Sequence, residues 1–195
     1  MNLISAKALT VARGARVLLR GVEFSVAAGE LLHVHGPNGC GKTTLLETLC
    51  GLRPPEAGEV KTDGEGALHW IGHRGGLNPA LTVEENLRFW CALQDVPAQR
   101  VETALDRLGL RRVAAKPCGA LSAGQKRRAA LARLLLARRP LWLLDEPLAS
   151  LDAATAAVFF DMLRAHLAQD GAAVLSSHQD LPADLPGLRR LELAP

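Results

Sequence analysis

The sequence predicts an α/β fold built on a mainly parallel sheet, with a flanking antiparallel β portion and a helical insert. Three observations predict it. Short apolar strands alternate with helical stretches along the chain. A strand-like run, Leu31 to His35, stops abruptly at the glycine-rich run Gly36 to Gly41 and is followed by a helix. Roughly residues 75 to 139 read as helical and separate two β/α portions.

The elements follow in order. Leu3 to Val11 and Val17 to Val26 are β-rich and flank the turn Arg13-Gly14-Ala15, which makes them the flanking β portion. Leu31 to His35 reads as a buried strand, and a helix runs from Lys42 to about Cys50, stopped by Gly51 and Pro54-Pro55. Ala67 to Ile71 is a further strand. Thr82 and Glu85 have capping-box spacing at the start of the next helix. Another helix spans about Ala98 to Leu108 with Gly109 at its C′ position, and a third runs from Ser122 to about Arg138, before Pro140. Leu141 to Leu144 is a strongly apolar strand. The helix Ala153 to Gln169 sets Phe159, Met162, Leu163, His166 and Leu167 on one stripe, so His166 is expected in the core rather than in a site. Ala172 to Ser176 is the last predicted strand. No repeat, linker or low-complexity tract interrupts residues 1–195, which are expected to form one domain.

Composition narrows the function classes. Apolar residues make up 48% and charged residues 22%, values of an ordinary globular protein. The 23 basic residues are interspersed with 20 acidic ones, for a net charge of +3, which argues against a nucleic-acid partner. Apolar runs of four or five residues, such as Leu134 to Ala137, are too short to span a bilayer, and no signal-like segment opens the chain, so it is expected to stay in the cytoplasm. Cys40, Cys50, Cys91 and Cys118 form no CxxC and no zinc-spaced cluster, and are expected to be reduced thiols.

The chemistry begins at Gly36-Pro37-Asn38-Gly39-Cys40-Gly41-Lys42-Thr43, with Thr44 next. It fits GxxxxGK[ST] between a strand and a helix, the context a P-loop requires. Its glycines let backbone N–H groups turn toward phosphate oxygens, and the helix start adds its partial positive charge. Lys42 is expected to neutralise the β- and γ-phosphates of ATP, and the Thr43 hydroxyl to ligate Mg²⁺. Kinases, GTPases and motor ATPases share this motif. Leu141 to Asp145 is a buried strand ending in a carboxylate, the Walker B arrangement, which sets Asp145 to hold Mg²⁺ through its hydration shell. Glu146 is then the candidate to orient and polarise the attacking water.

The deciding segment is Leu121-Ser122-Ala123-Gly124-Gln125, followed by Lys126-Arg127-Arg128. It resembles the LSGGQ signature of the ABC (ATP-binding cassette) ATPases, with Ala123 replacing the first glycine. A serine N-cap and a glycine at a helix start make a second anion site. The resemblance implies that this site serves the γ-phosphate of ATP held by an opposite copy, so that two copies sandwich the nucleotide. It also implies that Asp152, in Ser150-Leu151-Asp152, belongs to the loop coupling the two sites, and that His178 contacts the γ-phosphate.

Two positions depart from the general ABC pattern. Arg13 stands about eleven residues before Phe24, where an adenine-stacking aromatic is usual, and the chain has no tyrosine. His73 stands eight residues before Leu81, where a glutamine reaching Mg²⁺ is usual. A guanidinium still stacks on a base, and a neutral imidazole still makes one hydrogen bond. These positions, with Trp70 to Leu77 and Leu81 to Trp90, resemble the ATP-binding subunits of the cytochrome c biogenesis (haem exporter) ABC systems. That resemblance implies a bacterial homodimer of nucleotide-binding subunits on the cytoplasmic face of the inner membrane. It also implies a membrane permease partner and a role in haem export or in release of a haem-carrying chaperone. The segment His73 to Trp90, where Leu87, Phe89 and Trp90 cluster, is the expected coupling surface or else ordinary core. No CxxCH and no His/Met pair marks a haem site in the chain itself. Competing readings are the ATPase of another exporter of lipids or drugs, a soluble ABC protein of translation or DNA repair, and a nucleotide kinase. The single cassette without a heptad run argues against the second, and Ser122 to Gln125 against the third.

Overall fold

The structure is a computed structural model that describes residues 1–62 and 68–193. Two compact units are present: Met1–His73 with Arg139–Pro147 and Leu163–Pro195, and Arg74–Arg138 with Leu148–Met162.

The first unit holds two sheets. Strands β1 (Asn2–Arg13) and β2 (Arg16–Ala27) form an antiparallel hairpin whose last pair is Arg13 with Arg16, and β4 (Ala57–Thr62) pairs antiparallel with β1. The five-stranded sheet runs β5-β6-β7-β3-β8, formed by β3 (Leu31–His35), β5 (Leu68–Ile71), β6 (Leu141–Asp145), β7 (Ala172–Ser176) and β8 (Leu188–Glu192), paired in parallel throughout. Helix α1 (Lys42–Leu49) follows β3. One apolar core joins both sheets, with Ile4, Leu9, Phe24, Val34, Leu45, Leu143 and Val174 buried in it. All residues of β6 and β7 are buried, which explains their unbroken apolar text.

The second unit is helical: α2 (Val83–Leu93), α3 (Arg100–Arg107), α4 (Ala123–Ala132), and residues 153–162 of α5 (Ala153–Leu167). The capping box predicted for α2 forms, with Thr82 Oγ1 accepting from Glu85 N–H at 3.1 Å and Glu85 Oε2 from Thr82 N–H at 2.8 Å. Helix α3 ends as expected at Gly109 (φ +61), where Gly109 N–H donates to Asp106 O and Leu110 N–H to Leu105 O. Asn86 is buried and pins the turn before α2: its Oδ1 accepts from Asn78 N–H at 2.8 Å and its Nδ2 donates to Asn78 O at 3.0 Å.

Several expectations need correction. The third helix of the insert stops at Ala132 and tightens into a 3₁₀ turn, Arg133–Leu135, instead of continuing to Arg138. Two strands, β4 and β8, carry no predicted counterpart. Each is an edge strand, and most of their residues are exposed, so neither shows apolar periodicity. The predicted strand start Ala67 lies outside the described residues. Leu87 belongs to the core, fully buried, while Phe89 is 56% exposed and Trp90 lies beneath the Arg133 guanidinium at 3.6 Å. His166 is structural as expected, stacked on Trp142 with ring centroids 3.9 Å apart. No helix among the described residues is long and apolar enough to cross a membrane.

Candidate functional site

The predicted phosphate loop, both acidic residues, Arg13, His73 and His178 all lie in the first unit. Ten of the predicted residues line one cleft of about 450 Å³: Arg13, Asn38, Gly39, Gly41, Lys42, Thr43, Thr44, His73, Glu146 and His178. Gly36, Cys40 and Asp145 are buried behind its surface, and Pro37 is exposed outside the lining. Cys40 is a free thiol, as are the other three cysteines.

Local geometry explains the loop. Helix α1 is entered through Gly41 at φ +110, a backbone conformation a side chain resists, and no side chain caps its first N–H groups. A Cβ at Gly41 would also lie 3.2 Å from Leu18 Cβ, so the loop is seated against β2. The helix therefore starts with orphan donors aimed where an anion can take them. Lys42 Nζ donates to the loop's own carbonyls, Gly36 O at 2.7 Å and Pro37 O at 3.1 Å, which holds the cation over the loop.

Asp145 is organised from both sides. Thr43 Oγ1 donates to its Oδ2 at 2.9 Å, and Ser176 Oγ donates to its Oδ1 at 2.7 Å. Ser176 Oγ also accepts from Glu146 N–H at 3.0 Å. That bond holds Glu146 at φ +51, a costly conformation for a side chain this size. Glu146 Oε1 then lies 3.2 Å from His178 Nε2, and Glu146 Oε2 accepts from His178 N–H at 3.4 Å. Thr43 and Asp145 are adjacent hard oxygen donors, the ligand type Mg²⁺ takes. An imidazole suits Mg²⁺ less well than oxygen does, and His73 lines the cleft as an exposed ring.

The signature residues lie in the second unit. Ser122 caps α4 in a capping box: Ser122 Oγ accepts from Gln125 N–H at 3.2 Å and Gln125 Oε1 from Ser122 N–H at 3.0 Å. Ala123 is exposed, but a Cβ on Gly124 would stand 2.7 Å from Ser150 O. The second glycine of the signature is thus sterically required and the first is not, which accounts for LSAGQ. Asp152 Oδ1 accepts from Thr155 N–H at 2.8 Å and caps the start of α5. That bond is the main cause holding its carboxyl below the usual value, with the nearby Arg128 charge a smaller one.

Sequence reasoning missed three residues. Arg16 lines the cleft beside Arg13, to which strand register pairs it. Ser176 stands opposite Asp145 in the parallel β6–β7 register, a relation no local spacing reveals. His33, fully buried on β3, has its Nε2 3.2 Å from Ser177 O and so ties the strand entering the phosphate loop to the segment carrying His178. Leu31 to Val34 are all buried, so the sequence marks His33 only as part of a buried strand and gives no sign of its partner.

Comparison with known proteins agrees with this geometry. Residues 19–149 match the ABC transporter family. The cytochrome c biogenesis ATP-binding export protein CcmA of Rhodobacter capsulatus is 51% identical over 195 residues, covering 100% of this chain and 89% of that protein. CcmA of Paracoccus denitrificans is 50% identical over 195 residues, covering 100% and 90%. Among solved structures, an ATP-binding subunit of an ABC transporter superposes with a TM-score of 0.82 at 26% identity, over 90% of this chain and 79% of that one. A dimeric post-hydrolysis state of the ATP-binding cassette MJ0796, bound to ADP and Pi, gives 0.81 at 25% identity, over 90% and 88%. The chain therefore belongs to the ABC transporter family, and within it to the cytochrome c biogenesis ATP-binding export proteins.

Proposed function

We propose that residues 1–195 form one nucleotide-binding domain that hydrolyses ATP for an ABC complex of c-type cytochrome biogenesis. The hydrolysis drives haem export or the release of a haem-carrying chaperone. The observation that carries the ATPase reading is the chain of contacts Thr43–Asp145–Ser176–Glu146–His178 beside the phosphate loop.

In this reading the loop N–H groups from Gly36 to Thr44 and the Lys42 ammonium bind the phosphates and offset their charge. Thr43 and Asp145 would hold Mg²⁺, which when bound adds further positive charge against the β- and γ-phosphates. Glu146 accepts a hydrogen bond from the attacking water and orients it in line, its backbone fixed by Ser176 and its carboxylate by His178. His178 reaches the γ-phosphate, and His73 walls the cleft nearby.

Ser122 to Gln125 act in trans. The Ser122 hydroxyl accepts within its own helix and keeps its proton to donate, so the capped helix start still serves the γ-phosphate of ATP bound to a second copy. Asp152 orders the loop that follows Walker B toward the same dimer. The relative solved as an ADP- and Pi-bound dimer supports this homodimer. Phe89 and Leu93, exposed one helical turn apart on α2, are the face for a membrane permease subunit, which holds the chain peripherally at the cytoplasmic face of the bacterial inner membrane.

Glu146→Gln tests the core of this reading. It keeps the shape of the side chain and loses the charge that polarises water, so turnover of the assembled complex should fall by about 100-fold or more while ATP now accumulates a stable dimer. A variant that hydrolyses ATP at the wild-type rate, or that stays monomeric with ATP at equilibrium sedimentation, refutes it. Recovery of an unrelated permease on co-purification would leave the ATPase and overturn the cytochrome c role.

A further inference from the structure

Strand β3 reads Leu31-Leu32-His33-Val34-His35, and its first four residues are buried. A leucine at position 33 would suit those surroundings better than an imidazole does. Burial is the largest influence on the His33 ring and pushes its pKa below the ordinary value. Its Nδ1 is buried with no hydrogen-bond partner among the described residues. The ring thus carries a desolvation cost and makes a single hydrogen bond, Nε2 to Ser177 O at 3.2 Å. A carbonyl only accepts, so Nε2 bears the proton and donates it.

That bond holds the peptide unit between Ser177 and His178. Ser177 is fully buried, so its carbonyl has no water to fall back on. On the other side of the same planar unit, the His178 N–H donates to Glu146 Oε2 at 3.4 Å. The C=O and N–H of a trans peptide point in opposite directions, so aiming one aims the other. The Glu146 contact is long, which leaves the orienting to the His33 side. The chain beyond helps little. His178, Gln179 and Asp180 are exposed, and the next buried residue is Leu181. Arg190, the β8 residue in register with His33, donates to Asp180 Oδ1 at 2.9 Å. Both members of that ion pair are more than half exposed, and such pairs hold weakly. His33 is the buried fastening.

We propose that His33 is a positioning residue for hydrolysis, fixing the plane of the Ser177–His178 peptide and with it the placing of His178 against Glu146. Glu146 Oε1 lies 3.2 Å from His178 Nε2, so turning that plane disturbs both contacts to the carboxylate that orients water. The inference rests on the roles given above to Glu146 and His178. It adds that the strand running into Gly36 sets the catalytic pair as well as the phosphate loop.

The test compares glutamine, asparagine and leucine at position 33 in the assembled complex. The amide nitrogen of glutamine reaches about as far as Nε2, and that of asparagine only as far as Nδ1. His33→Leu and His33→Asn should lower kcat by about 5- to 20-fold. Their ATP dissociation constants in calorimetry should stay within about 2-fold of wild type, because the phosphate loop is intact. His33→Gln should bring kcat back to within about 2-fold of wild type. Melting curves check the fold, and the comparison of the two amides stands even where leucine costs stability. Arg190→Ala breaks only the exposed ion pair and should change kcat by less than about 2-fold. Wild-type kcat in both His33→Leu and His33→Asn, or a His33→Gln complex as slow as His33→Leu, overturns the proposal. So does lost ATP affinity with kcat kept, which would place the effect of His33 at the phosphate loop. An Arg190→Ala complex as slow as His33→Leu would assign the hold to the surface ion pair and overturn it too. Wild-type turnover in His178→Ala removes the role of His178 and this inference with it, whereas an inactive His178→Ala leaves that role standing whatever position 33 does.

Discussion

Two helix starts in this molecule face phosphate in the proposed mechanism, and they meet the problem of orphan N–H groups in opposite ways. Helix α1 enters through Gly41 with no side-chain cap, leaving its first donors for a ligand. Helix α4 enters through Ser122, whose hydroxyl and the Gln125 amide close a capping box within the helix itself. The first is completed by the nucleotide. The second is complete before any nucleotide arrives and offers only the donors it has left. This suits their roles, because a site that ATP occupies in its own subunit can rely on ATP for satisfaction. A site engaged only on dimerisation must hold its shape between turnovers.

The largest effects should come from the α1 start. Lys42→Ala removes the cation that the loop carbonyls hold over the phosphate site, and turnover should drop by about 100-fold or more with nucleotide binding lost in calorimetry. Wild-type affinity in that variant would break the contrast, because the loop N–H groups alone would then suffice. At α4 the corresponding contrast lies between adjacent residues. Gly124→Ala puts a methyl 2.7 Å from Ser150 O, so the helix start or the Ser150 segment must shift. Stability should fall by about 1–3 kcal/mol, with turnover lowered roughly 10-fold, while the exposed Ala123→Gly leaves turnover within about 2-fold of wild type. Equal behaviour of the two variants in thermal unfolding and ATPase assays would refute the steric account of LSAGQ.

What could be read in advance follows the same division. Both helix starts are legible because their chemistry is compressed into a few consecutive residues: Gly36 to Thr43 at one, Ser122 to Gln125 at the other. The end of α4 is not, since Ala129 to Arg138 is all good helix-forming text with no stop before Pro140. There the backbone tightens at Arg133, a buried residue whose guanidinium donates to Gly75 O at 2.8 Å and lies over Trp90. Those partners are far apart in sequence. Ser176 and Arg16 are hidden for the same reason, since they reach Asp145 and Arg13 through strand register rather than through spacing. Asp145 itself was visible because burial on both faces made β6 continuously apolar.

A moderate effect should separate capping from phosphate contact at α4. Ser122→Ala loses the cap and should cost about 1 kcal/mol in urea unfolding. Ser122→Asp keeps a cap of equal quality, so it should unfold close to wild type, yet its charge opposes the γ-phosphate of the partner's ATP and turnover should collapse. No such separation exists at α1, which has no side-chain cap to lose. An active Ser122→Asp complex would mean that this helix start never meets phosphate.

The smallest effect concerns what lies under the α1 start. His33 is buried on the strand that feeds the phosphate loop, and its Nε2 faces Ser177 O. Burial is the main cause pushing its pKa below the ordinary imidazole value, helped by His35 and Arg190 and opposed by the Ser177 carbonyl and Asp180. The folded protein therefore binds a proton here less readily than the unfolded chain. As pH falls below about 6.5 the unfolded chain protonates first and stability declines, until His33 protonates in the folded state as well. His33→Gln retains an N–H for Ser177 O and does not titrate, so its urea midpoints at pH 8 and pH 5.5 should differ less than those of wild type. Ser122→Ala should keep the wild-type pH slope, because neither Ser122 nor Gln125 titrates. A His33→Gln slope equal to wild type would place the acid sensitivity elsewhere, whereas a flattened one would show that the α1 start draws its support from the strand beneath it, as α4 draws its own from Ser122 and Gln125.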